Sequence, residues 1–197
     1  MPAPAGSASD PHERLRDDPA LAPLVDEYGA LALDPADDPF RRLVQSIVSQ
    51  QVSTASATAI RERLYDRFEV TPAAMADADP DALRAVGLSS QKAEYVRHVA
   101  DAFLEGDYSV AAFEGVADDA VIDELTDIHG VGVWTAKMYL MFGLGREDVF
   151  PVEDLGVRNG MERVHDEELS RTEMVERAAR WRPYRSYASL YLWRAVD

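Results

Sequence analysis

Apolar residues along most of this 197-residue chain recur at three- and four-residue spacing, the period of an amphipathic helix. Phe40, Leu43, Val44, Ile47 and Val48 form the strongest stripe and predict a core helix. It opens at Asp38-Pro39, an N-cap followed by proline in the first turn. Asp18-Pro19 gives the same signal ahead of Leu21, Leu24, Val25 and Tyr28. The core helix stops at Ser49-Gln50-Gln51-Val52-Ser53-Thr54, and Ser53 or Thr54 caps the next, whose inner face carries Ala57, Ile60, Leu64 and Phe68. Thr71-Pro72 and Asp79-Pro80 begin two short helices, with Leu83 and Val86 inward and Gly87 closing the turn. Leu88-Ser89-Ser90-Gln91-Lys92 opens a helix bearing Ala93, Val96, Ala100 and Phe103, which closes at Gly106. Asp118 starts a helix with Ile122, Leu125 and Ile128 on one stripe, and Asp154 precedes a helix that runs to Val164. Ser170 and Glu173 have capping-box spacing, and Pro183 begins a last helix that ends near Ala195. No segment alternates with a period of two, so the chain reads as all-α with about ten helices. Residues 1–12 are rich in Pro, Ala, Ser and Gly, lack any hydrophobic period, and are expected to form a disordered tail before a helical domain over 13–197.

Composition narrows the class. The chain is 47% hydrophobic, enough for one large domain or two small lobes with a proper core. There is no cysteine, which excludes disulfides, thiol chemistry and an iron–sulfur cluster. No apolar run reaches the length of a membrane span, and the N-terminus lacks a signal pattern, so a soluble intracellular (cytoplasmic) protein is expected. The net charge of −16 has two readings. Either the protein does not touch nucleic acid, or the acids form a solvated coat, as in a salt-adapted cell, while arginines are placed locally. Their distribution supports the second: five arginines and no acid lie between Arg177 and Arg194, interleaved with Trp181, Tyr184, Tyr187, Tyr191 and Trp193.

The most informative stretch runs Leu125-Thr126-Asp127-Ile128-His129-Gly130-Val131-Gly132-Val133-Trp134-Thr135-Ala136, followed by Phe150-Pro151-Val152-Glu153-Asp154-Leu155-Gly156-Val157-Arg158. Gly130 suits a left-handed residue after a helix, and Gly132 opens the next helix with nothing bulky before its free N–H groups. Such a helix start is a ready anion site that a phosphate fits. The alternative is an ordinary helix–helix turn. Asp154 stands before a helix, where N–H groups and the positive dipole end face its carboxylate. It is either a plain cap or a group able to stabilise an oxocarbenium ion and orient an attacking water.

Together these residues resemble the helix-hairpin-helix DNA glycosylase superfamily, in particular its 3-methyladenine DNA glycosylase II branch, over roughly Asp38 to Trp193. The resemblance implies two helical lobes with the active site in the cleft between them, the first and last segments sharing one lobe. It implies a monofunctional glycosylase of base excision repair that hydrolyses the N-glycosidic bond of alkylated purines, 3-methyladenine and 7-methylguanine, in double-stranded DNA. Asp154 takes the catalytic place. Family members that also cut the backbone carry a lysine where this chain has Trp134, so water is the expected nucleophile. Trp134, Met138 and Trp193 are expected to line the base pocket; indole faces favour a cationic alkylated purine by about 0.5 to 2 kcal/mol. Met138 departs from the aromatic that bacterial relatives place there, which puts the substrate range in doubt.

Base flipping leaves a hole that an apolar wedge can fill. The loop Gln50-Gln51-Val52 matches the family's wedge loop, with Val52 as the tip and Gln50 or Gln51 facing the orphaned base; a buried turn is the alternative. Backbone N–H groups of Gly130, Gly132, Val133 and Trp134 are expected on phosphate. Main-chain carbonyls of Thr126, Ile128 and Gly130 are expected to hold a structural monovalent cation, with no cofactor for catalysis. Ser89, Ser90, Gln91 and Lys92 either touch the opposite strand or form a solvated helix start, and Arg158, one turn beyond Asp154, is expected to pair with an acid. His129 is read as a surface residue or a phosphate contact. A monomer is expected, without the extra N-terminal domain of larger bacterial relatives. The alternatives are a non-catalytic module that binds bent or damaged DNA, or a sister-branch enzyme for oxidised or mismatched bases.

Overall fold

A computed structural model describes residues 10–196, all of whose regular elements are helical. They divide into two compact units. One is the continuous segment Asp34–Arg146, and the other is built from the chain before it and from Glu147 onward.

The continuous unit holds seven α-helices: α3 (Pro39–Ser49), α4 (Thr54–Arg67), α5 (Pro72–Ala76), α6 (Pro80–Ala85), α7 (Ser90–Glu105), α8 (Asp118–Thr126) and α9 (Val133–Phe142). Local chemistry explains most of the starts. Asp38, Ser53, Thr71, Asp79 and Ser89 each accept a backbone N–H from the turn they cap. Four of these starts lie at the Asp-Pro, Thr-Pro or Ser signals of the sequence, and Ser53 rather than Thr54 caps α4. Helix α3 buries Phe40, Leu43, Val44, Ile47 and Val48 and packs against α7 and α9. Helix α9 is buried nearly all round, with Thr135, Ala136, Met138, Tyr139, Leu140 and Met141 inside, as expected for a helix at the centre of a unit. Burial raises the Tyr139 phenol above its ordinary range, and its O–H donates to the Tyr108 carbonyl.

The discontinuous unit packs α1 (Pro11–Arg16) and α2 (Ala22–Tyr28) with α10 (Leu155–His165), α11 (Arg171–Ala178) and α12 (Arg185–Arg194), plus a short 3₁₀ turn at Ala179–Trp181. Its core includes Leu15, Val25, Val157, Met161, Trp181 and Tyr191. Ser170 and Glu173 make both bonds of the capping box. Helices α10 and α12 approach closely at Gly160, where an added Cβ would lie 2.3 Å from the Leu192 carbonyl oxygen.

Three boundaries differ from the sequence reading. The tail expected over 1–12 falls outside the described residues for 1–9, but Asp10 caps α1 and Pro11 and His12 lie in it. Asp18 makes a turn, accepting the Ala20 N–H at 2.9 Å, and α2 starts later, at Ala22. Pro183 sits within the turn closed by Tyr184 N–H on the Trp181 carbonyl, so α12 begins at Arg185. Among the described residues there are twelve α-helices, and none is long and apolar enough to cross a membrane.

Candidate functional site

The hairpin between α8 and α9 is closed by Ile128 N–H on Leu125 O and by Val131 N–H on Ile128 O. Gly130 has φ +99°, a left-handed conformation that disfavours any side chain. A Cβ there would also lie 2.2 Å from the Tyr95 ring, so Gly130 is required twice over by the fold. Gly132 is different. Its φ of −95° is open to any residue, and a Cβ would meet nothing within 4 Å. It is exposed, it precedes α9, and no side chain caps that helix. The space before the α9 N-terminus is thus open to an anion. Val133, next along, is 42% exposed.

The loop after α3 meets this hairpin. Gln50 donates its side-chain amide to Gly130 O at 3.2 Å and to the buried Thr135 hydroxyl at 3.0 Å. It therefore ties loop to hairpin. Gln51 has φ +54°, a left-handed conformation that costs a non-glycine residue about 1–2 kcal/mol. Such strain persists where the surroundings over-determine it, commonly at functional sites. The kink leaves Gln51 exposed and Val52 38% exposed at the loop tip. Gln50, Gln51, Val52, Gly130 and Gly132 line one recess of about 520 Å³, with Ser89, Gln91, Lys92 and Tyr95 on its other wall. Lys92 reaches back to the Val48 carbonyl at 2.7 Å, and burial lowers its ammonium pKa. His129 is exposed, with its ring edge-to-face against Tyr95 and His98. On α9, Trp134 is half-buried, whereas Met138 is only 4% exposed and belongs to the core face.

Among the expected carbonyl ligands, Ile128 O already accepts from Val131 N–H and Gly130 O from Gln50. Each carbonyl has a second lone pair, so its capacity to accept is not exhausted. Among the described residues no cluster of three or more His, Cys, Asp or Glu side chains could hold a metal ion.

Asp154 lies in the discontinuous unit, at the end of a loop that the chain fixes tightly. Val152 N–H bonds Phe150 O and Asp154 N–H bonds Pro151 O. Arg158, a turn into α10, donates to the carbonyls of Val152 at 3.2 Å and Glu153 at 2.7 Å. It braces the loop before Asp154, a role that the expectation of an acid partner did not include. The half-buried Asp154 caps α10, its Oδ1 accepting the Val157 N–H at 2.9 Å. The same oxygen accepts the indole N–H of Trp193 at 2.8 Å. Trp193, expected as a pocket wall, thus binds the carboxylate through its ring edge. The structure brings Asp154, Gly156 and Trp193 together in one unit, and the loop 50–52, the hairpin and Trp134 in the other. Sequence reasoning gave Gly156 no role, because a lone glycine in a helical pattern signals only a lower helix propensity.

The arginines expected to be locally placed are largely neutralised. Arg177 pairs with Glu167, Arg180 with Asp18, and Arg182 and Arg185 both pair with Asp148, the last at 2.6 Å. The acid partners are distant in sequence, which hid the pairing.

A family profile described as "HhH-GPD superfamily base excision DNA repair protein" matches residues 44–184. DNA-3-methyladenine glycosylase 1 of Schizosaccharomyces pombe is 31% identical over 185 residues, covering 88% of this chain and 79% of that protein. YfjP of Bacillus subtilis is 31% identical over 189 residues, 90% of this chain but 66% of its own length. The solved structure of the S. pombe 3-methyladenine DNA glycosylase in complex with abasic DNA superposes with a TM-score of 0.86 at 28% identity, covering 93% of this chain and 95% of that one.

Proposed function

The chain belongs to the HhH-GPD superfamily of base excision DNA repair proteins, and within it we propose a monofunctional glycosylase that releases alkylated purines from double-stranded DNA. 3-Methyladenine and 7-methylguanine are the substrates this reading favours. The observation that carries it is the Asp154 carboxylate, set at a helix N-terminus and gripped on one oxygen by Val157 and Trp193.

A purine alkylated on a ring nitrogen carries positive charge and is a good leaving group. As its glycosidic bond breaks, the bonding electron pair goes to the base, which leaves neutral, and positive charge builds on the sugar. Asp154 stabilises that charge electrostatically and orients the water whose oxygen bonds to C1′. The water's second proton passes to the carboxylate or to solvent. Trp134 stands where backbone-cutting relatives have lysine, so the product is an abasic site in an intact strand. The backbone N–H groups of Gly130, Gly132 and Val133 bind phosphate. Val52 at the strained loop tip enters the gap left by the flipped base, with Gln51 beside it. The half-buried Trp134 borders the base. The carbonyls of Thr126, Ile128 and Gly130 would hold a structural cation, which would supply positive charge beside the hairpin without taking part in catalysis. No organic cofactor takes part.

The test is incubation of methylated duplex DNA with the protein and chromatography of what is released. Free 3-methyladenine and 7-methylguanine, with strands that break only on later alkaline treatment, are expected. Strand cleavage without alkali, or no release of either base, contradicts the proposal.

A further inference from the structure

We propose that Trp193 is a positioning residue for the Asp154 carboxylate, acting through its indole N–H; this rests on Asp154 being the carboxylate that acts on the sugar. The Val157 N–H bond is the ordinary grip of a helix on its capping residue, and it leaves the carboxylate's terminal torsion broad. The indole N–H comes from another helix, 39 residues further along the chain, and lands on the same oxygen at 2.8 Å. Two donors from different directions on one oxygen define where the carboxylate stands relative to both α10 and α12.

The neighbouring sequence is built around this contact. A Cβ on Gly156 would lie 2.8 Å from Trp193 Cδ1, 3.1 Å from its Nε1 and 3.2 Å from Asp154 Oδ1. Gly156 has no left-handed backbone to explain it; the indole and the Asp154 carboxylate fill the space a side chain would need. One turn on, Gly160 admits the backbone at Leu192, the residue before Trp193. The two glycines form a slot on α10 into which α12 delivers the indole edge.

A group acting through Asp154 and a group acting on the base make different predictions. Single-turnover base release from 7-methylguanine DNA at saturating enzyme, and affinity for duplex containing a stable abasic analogue, are measured for Trp193→Phe, Gly156→Ala, Asp154→Asn and the double variant Trp193→Phe/Asp154→Asn. Trp193→Phe keeps a ring but loses the donor. Gly156→Ala keeps the whole indole but displaces it. Both are expected to lose about 10- to 100-fold in rate, the scale of a misplaced reacting group, with analogue affinity within about twofold of wild type. The double variant is expected to be no slower than Asp154→Asn alone. A wild-type rate in Trp193→Phe overturns the proposal, as does an equal loss from Trp193→Phe in the Asp154→Asn background, which would place its action on the base. Should Trp193→Phe fail to fold, Gly156→Ala at the wild-type rate overturns it equally. A wild-type rate in Asp154→Asn removes the functional reading itself, and that arm identifies the failure as such.

Discussion

Gly130 and Gly132 sit two residues apart and have opposite reasons for being glycine. The first is demanded by backbone geometry and by the Tyr95 ring pressed against it. The second has ordinary backbone and empty space where a side chain would go. Gly130→Ala is therefore expected to lower stability by about 1–3 kcal/mol through overpacking alone. Gly132→Ala should leave the denaturation midpoint unchanged and weaken duplex binding about tenfold, because the open space is where phosphate is received. Equal behaviour of the two variants in denaturation and binding titrations would contradict this division. The sequence allowed both glycines to be assigned to the turn, since turn chemistry is local. It also told the left-handed Gly130 from the open Gly132, but did not reveal the Tyr95 contact, which joins residues far apart. The same limit hid the bond from Gln50 to Thr135 and the left-handed Gln51, neither of which has a local signature.

At the level of helices, the starts were the most legible feature. Asp38, Ser53, Ser89, Asp154 and Ser170 cap where their side chains and following residues predict, because capping is decided within one turn. Pairing between helices was not legible in this way. Gly160 is a residue that should weaken α10, by about 1 kcal/mol relative to alanine on propensity. Yet an alanine methyl would run into the Leu192 carbonyl at 2.3 Å. Gly160→Ala is expected to destabilise the protein by about 1–3 kcal/mol in chemical denaturation despite the better helix former. A stabilised variant would show that α10 and α12 are less tightly joined than described. The assignment of the first and last segments to one lobe came from resemblance, since periodicity says which face is buried and not against what.

For the molecule as a whole, the charge of −16 is the dominant electrostatic fact. The arginine-rich C-terminal stretch does not offset it as a basic patch, because Asp148, Asp18 and Glu167 take up four of its side chains. Surface ion pairs contribute little, about 0–1 kcal/mol each, although Arg185 with Asp148 and Asp18 with Arg180 are more buried than that. Self-repulsion of the acidic coat remains and is screened as the Debye length falls from about 10 Å at 0.1 M salt to about 3 Å at 1 M. The melting temperature is expected to rise over that range of potassium chloride, and a flat or falling melting temperature would contradict the solvated-coat reading. DNA binding in the same series should weaken with salt, since phosphate contacts release counterions.

The most direct test of the whole account is the rate of base release by Asp154→Asn. Asparagine keeps an oxygen that accepts from Val157 and Trp193, so the helix cap and the fold survive, while the charge that answers the sugar is gone. The account predicts an unchanged melting temperature, unchanged affinity for duplex DNA with an abasic analogue, and a loss of roughly 10²-fold or more in single-turnover release of 7-methylguanine. Release at the wild-type rate by the folded variant would contradict it.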